Sequence, residues 1–92
     1  MSKIALITGA TSGIGEACAR RFAQGGYDVI LTARRSDQLE RIASRLSEGN
    51  AKVITLAFDV RDRAATRAAL DSLPEAWRAI DVLVNNAGLA RG

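Results

Sequence analysis

Histidine is absent from the 92 residues, and cysteine, proline, tryptophan and tyrosine occur once each. Without an imidazole, His-based catalysis and most zinc sites are out of reach. A lone cysteine forms no internal disulfide, so nothing implies an oxidising compartment. Aromatics are only 4%, too few to build a stacking platform for bases. Charge of one sign is also lacking: 13 Lys+Arg against 10 Asp+Glu leave a net +3, with the arginines interspersed among acids. The basic pI near 9.8 therefore reads as a solvated mixed surface, not a nucleic-acid footprint. No apolar run approaches the ~18–20 residues of a membrane span. Ile4-Ala5-Leu6-Ile7 is too short for a signal-peptide core and runs straight into glycines. The expectation is a cytoplasmic chain whose partners include neither nucleic acid nor membrane.

What remains is ordinary globular composition, 48% hydrophobic and 25% charged, in a length that allows one domain. Ile4 to Ile7 is a short apolar run that ends at a glycine turn and predicts a buried strand. From Gly13 the spacing turns helical, with Ile14, Ala17, Cys18 and Phe22 on one face, and Gly25-Gly26 end that helix. Val29 to Ala33 predicts a second strand. Asp37 with Glu40 suggests a capping pair for a helix whose face carries Leu39, Ile42 and Leu46. Val53 to Phe58 predicts a third strand, Asp62 opens a third helix bearing Thr66, Ala69, Leu70 and Leu73, and Pro74 ends it. A connecting turn holding Trp77 leads to a fourth strand over Ile80 to Val84, interrupted early by Asp81. Apolar strands alternating with helices imply a parallel sheet covered by helices. Right-handed crossovers narrow this to an α/β, Rossmann-like doubly wound sheet in the order β-α-β-α-β-α-β. In that winding the first two helices share one face and the third lies alone on the other. The fourth strand is then an apolar edge.

The first strand runs into Thr8-Gly9-Ala10-Thr11-Ser12-Gly13-Ile14-Gly15. Glycines bring an anion close to backbone N–H groups, and the helix that follows offers unpaired amides and the positive end of its dipole. A P-loop is excluded, because Ile14 and Gly15 stand where its second glycine and lysine belong. The common G-x-G-x-x-G also fails, since Thr11 occupies its second glycine position. The pattern present is T-G-x-x-x-G-x-G. At the end of the second strand, where NAD-selecting folds hold a carboxylate for the ribose 2′-OH, Arg34-Arg35 follow Ala33. A guanidinium binds a 2′-phosphate in a fork, which favours NADP. Asp59-Val60 follow the third strand, where an Asp alone reads as a cap or turn residue. Asn85-Asn86-Ala87-Gly88 stand at the carboxyl edge of the fourth strand.

The glycine turn and the N-N-A-G tetrapeptide at this separation resemble the short-chain dehydrogenase/reductase family, over Lys3 to Gly92. The resemblance implies that Gly9, Thr11, Ser12, Gly13, Ile14 and Gly15 hold the adenosine ribose and pyrophosphate. Ser12 would lie near the phosphates and Ile14 against the pyrophosphate and nicotinamide side. It implies that Arg34 and Arg35 take the 2′-phosphate of NADP(H), that Asp59 faces the adenine amino group and that the Val60 N–H meets the ring. Asn86, Ala87 and Gly88 would border the adenosine. Ser72-Leu73-Pro74, Trp77 and the segment from Asn85 to Gly92 are similar to the branch that oxidises 3-hydroxy acids such as serine and allo-threonine. The implied reaction moves a hydride between NADP(H) and a small hydroxy acid or related alcohol or carbonyl, in a homo-oligomeric parent.

The catalytic group is missing. In the family a tyrosine exchanges the hydroxyl proton, a lysine four residues on lowers its pKa, and a serine polarises the oxygen. Tyr27 is followed four residues later by Leu31, and the two lysines, Lys3 and Lys52, belong to no such motif. Tyr27 and Trp77 read as packing residues and Cys18 as a small core residue. Residues 1–92 are thus expected to be the amino-terminal part of one NADP-binding Rossmann domain that continues beyond Gly92. The alternative is a non-catalytic nucleotide-binding or assembly half-domain.

Overall fold

The computed structural model describes residues 3–49 and 51–86. Four strands, β1 (Ile4–Ile7), β2 (Asp28–Ala33), β3 (Val53–Ala57) and β4 (Val82–Val84), form one parallel sheet in the order β3-β2-β1-β4. Helices α1 (Gly13–Gln24), α2 (Ser36–Leu46) and α3 (Arg63–Asp71) make the crossovers, and a short 3₁₀ helix, Glu75–Trp77, precedes β4. This is the expected Rossmann-like winding.

Alternation along the strands sends side chains to two separate cores. Ile7, Val29, Leu31 and Ala33 pack with Ala19 of α1 and with Leu39 and Ile42 of α2. On the opposite face Ile4, Leu6 and Ile30 pack against Leu73 and the partly buried Ile54, Leu56, Leu70, Trp77 and Ile80. Two helices therefore cover one face and α3 with its following turn covers the other, as the winding required. Leu83, paired with Leu6 across the sheet, is left 64% exposed at the β4 edge.

Three local expectations are corrected. The buried face of α1 carries Gly15 and Ala19, with Phe22 and Ala23 packed beside them, whereas Ile14 is 70% exposed, Ala17 is exposed and Cys18 is half-buried. The phase is set by the glycine turn, which drives Gly15 against the backbone of Gly9 and Ala10. Helix α2 has Arg35 at its N-cap with no side-chain bond, and Asp37 lies in the first turn, where its charge suits the helix dipole without capping it. The fourth strand begins at Val82, because Ile80 is held in a turn by Arg78 O. Asp81 then closes the start of β1: its Oδ2 accepts from the Ile4 N–H at 2.8 Å, and its own N–H donates to Ile4 O. Tyr27 packs edge-on against Phe22, with ring centroids 4.9 Å apart.

Candidate functional site

The carboxyl ends of β1, β2, β3 and β4 open on a cleft of about 260 Å³, lined by Gly9, Thr11, Ser12, Ala33, Arg34, Phe58, Asp59, Val60, Arg61 and Asn86. It sits where an open α/β sheet places its ligand. Gly9 turns the chain out of β1 with φ 62°, a conformation that favours glycine. Ala10 N–H donates to Thr32 O at 3.0 Å, tying the turn to β2.

Ser12 is the N-cap of α1, and its hydroxyl is fully engaged. Its Oγ accepts from Gly15 N–H at 3.0 Å and from Asn86 Nδ2 at 2.8 Å, and donates to Gly9 O at 3.1 Å. Asn86, buried at the end of β4, also donates from Nδ2 to Gly9 O at 2.9 Å. These bonds lock the glycine turn across more than seventy residues of sequence. A Cβ on Gly15 would collide with Gly9 O and lie 2.9 Å from Asn86 Nδ2, so this glycine serves close packing. A Cβ on Gly13 would meet nothing within 4 Å. The amides of Thr11, Gly13 and Ile14 have no hydrogen-bond acceptor among the described residues. Three unpaired donors beside an uncrowded glycine at a helix N-terminus fit a phosphate or pyrophosphate.

At the other end of the cleft, Arg34 follows β2, and its guanidinium makes no hydrogen bond or ion pair among the described residues. Asp59 is bridged by Arg61, whose Nη2 lies 2.9 Å from Oδ2 and whose Nε lies 3.1 Å from Oδ1. These bonds from Arg61 hold the Asp59 carboxyl down at about 2.

Of the residues expected at the site, Gly9, Thr11, Ser12, Arg34, Asp59, Val60 and Asn86 line the cleft. Gly13, Ile14, Gly15 and Arg35 flank it without lining it, and Ala87 and Gly88 lie outside the described residues. Arg61, Ala33 and Phe58 were missed. The signal available for Arg61 was its spacing two residues after an Asp, where an Asx turn returns the backbone N–H to the carboxylate, here at 2.9 Å.

A family model described as short chain dehydrogenase matches residues 3–92. Sulfoacetaldehyde reductase 2 of Chromohalobacter salexigens is 54% identical over 90 residues, covering 98% of this chain and 35% of that protein. The NADP-dependent 3-hydroxy acid dehydrogenase YdfG of Salmonella typhi is 53% identical, covering 97% of this chain and 35% of that protein. Among solved structures, the closed form of a serine dehydrogenase complexed with NADP+ superimposes with a TM-score of 0.78 at 48% identity, covering 90% of this chain and 32% of the other. The chain thus spans about a third of the length of the relatives it matches.

Proposed function

The chain belongs to the short-chain dehydrogenase family, and from that membership we propose that it forms the adenosine-side NADP(H)-binding part of an oxidoreductase acting on a small hydroxy acid or a related alcohol or carbonyl. In this reading residues 1–92 are the first portion of one Rossmann domain that continues beyond Gly92, within a cytoplasmic homo-oligomer. Its support is that each relative is matched over only a third of its length and that Leu83 lies bare at the β4 edge. Bound in the cleft, NADP(H) would supply or accept the hydride. The residues of this chain bind and orient it. The amides of Thr11, Gly13 and Ile14 face the pyrophosphate, and the Ser12–Asn86 bonds hold those amides in place. Asp59 and the Val60 backbone take the adenine, and Ala87 and Gly88 border the adenosine. Tyr27 takes no part in proton transfer, because it is packed against Phe22 past the C-terminal end of α1, the end opposite the glycine turn, and does not line the cleft.

The observation that carries the cofactor choice is the Arg34 guanidinium at the end of β2, unpaired among the described residues, where a carboxylate would select NAD. Arg35, exposed at the N-cap of α2, adds a second cation beside it. The three similar proteins named for their substrates support the class, a small hydroxy acid or carbonyl compound, and differ over its member. Titration of the protein carrying this sequence with NADPH and NADH tests the reading. NADPH binds more tightly, and Arg34→Ala weakens NADPH about tenfold or more with little change for NADH. Equal losses for the two cofactors overturn the assignment.

A further inference from the structure

Asp59 shares the cleft with Arg34, and the two lie close enough for the charge of one to act on the other. Such a carboxylate works against a 2′-phosphate in two ways. It repels the incoming dianion, and it attracts the guanidinium meant to receive it. Arg61 stands in the way of both. Its backbone N–H and Nε donate to Oδ1 at 2.9 and 3.1 Å, while Nε and Nη2 donate to Oδ2 at 3.3 and 2.9 Å. Both carboxylate oxygens are thus occupied by one forked partner from two residues away. Arg34, which lines the same cleft, is left with no bond to Asp59.

We propose that Arg61 is a positioning residue for cofactor selection: by bridging both oxygens of Asp59 it keeps the Arg34 guanidinium free for the 2′-phosphate. This rests on the NADP(H) reading given above for Arg34. Without Arg61, the exposed carboxylate turns to its next cation, Arg34, and competes with the ligand for it. Even without the Arg61 bonds, a carboxylate near its ordinary value of 3.8 is ionised at neutral pH, so the competition persists there. The adenine contact is common to NADP(H) and NAD(H), so the ratio of the two affinities isolates the effect on the phosphate.

Dissociation constants for NADPH and NADH, read from cofactor fluorescence, test this in the wild-type protein and in R61Q, D59N and the D59N/R61Q double variant. The Arg61 side chain is 75% exposed, which leaves the fold tolerant of its replacement. R61Q is expected to weaken NADPH about tenfold and NADH less than about twofold. In the double variant the NADPH-to-NADH ratio returns to that of D59N, since no carboxylate is left to compete. Equal weakening of both cofactors by R61Q assigns Arg61 a merely structural role and overturns the proposal. A ratio that stays low in the double variant also overturns it, because Arg61 would then contact the phosphate itself. A wild-type protein without preference for NADPH removes the Arg34 reading instead, and is recognised before any Arg61 variant is made.

Discussion

Ser12 shows how one side chain serves both fold and site. A hydroxyl has one proton and two lone pairs, and all three are used within the protein, by Gly9 O, Gly15 N–H and Asn86 Nδ2. In the proposed NADP(H) site its part is therefore to aim the neighbouring amides, and the amides of Thr11, Gly13 and Ile14 would carry the anion contact. The three glycines of the motif divide along the same line. Gly15→Ala forces a methyl into Gly9 O and is expected to destabilise the protein by about 1–3 kcal/mol, read as a lower denaturation midpoint. Gly13→Ala meets no protein atom and is expected to shift stability by less than about 1 kcal/mol. It nevertheless weakens NADPH and NADH alike, because the pyrophosphate is common to both. Loss of one cofactor alone in Gly13→Ala would contradict a pyrophosphate site at this turn. The sequence could show that glycines were needed here, but not which served packing. That distinction depends on Asn86, brought into contact from the far end of the described chain.

At the scale of elements, strands and crossovers were legible because apolar runs and helical spacing alternate without ambiguity. Boundaries and phases were less so. The α1 face was displaced because Ile14 is more apolar than Gly15, and periodicity counts apolarity; docking of the turn decided for the glycine. Asp62 was legible as a cap because its partner is local: its Oδ1 accepts from Ala65 N–H at 3.0 Å. The same residue anchors the cleft, since Asp62 N–H donates to Asp59 O at 2.9 Å and closes the turn that carries Asp59, Val60 and Arg61. Asp62→Ala is expected to lower stability by about 1 kcal/mol in chemical denaturation, with Asp62→Asn retaining most of it. An Asp62→Asn variant as unstable as the alanine would show that charge, not capping, holds α3. For the Asp59–Arg61 bridge the sequence carries only the two-residue spacing, because nothing in composition or period separates a guanidinium that reaches back to the cleft from one in solvent.

The whole molecule is an asymmetric sandwich. Beneath α1 and α2 the sheet is closed, and Ala5, Ile7, Val29 and Leu31 are fully buried. On the α3 side coverage stops at β1, and Leu83 stands exposed on a strand paired only along its β1 edge among the described residues. An open parallel edge carrying an apolar residue is a pairing hazard, and parallel sheets in α/β folds are covered on both faces. If these residues are one part of a longer Rossmann domain, the surface of β4 is an interior surface whose cover lies elsewhere in the protein. Residues 1–92 produced alone should then associate through this edge, with a sedimentation mass that rises with concentration, and Leu83→Lys should reduce that association. The same substitution in the longer protein should do the opposite of helping: a lysine forced into the interior lowers its stability by several kcal/mol. A half-domain built to stand alone would show the reverse pattern, monomeric as it is and indifferent to Leu83→Lys, because its edge would already be adapted to water.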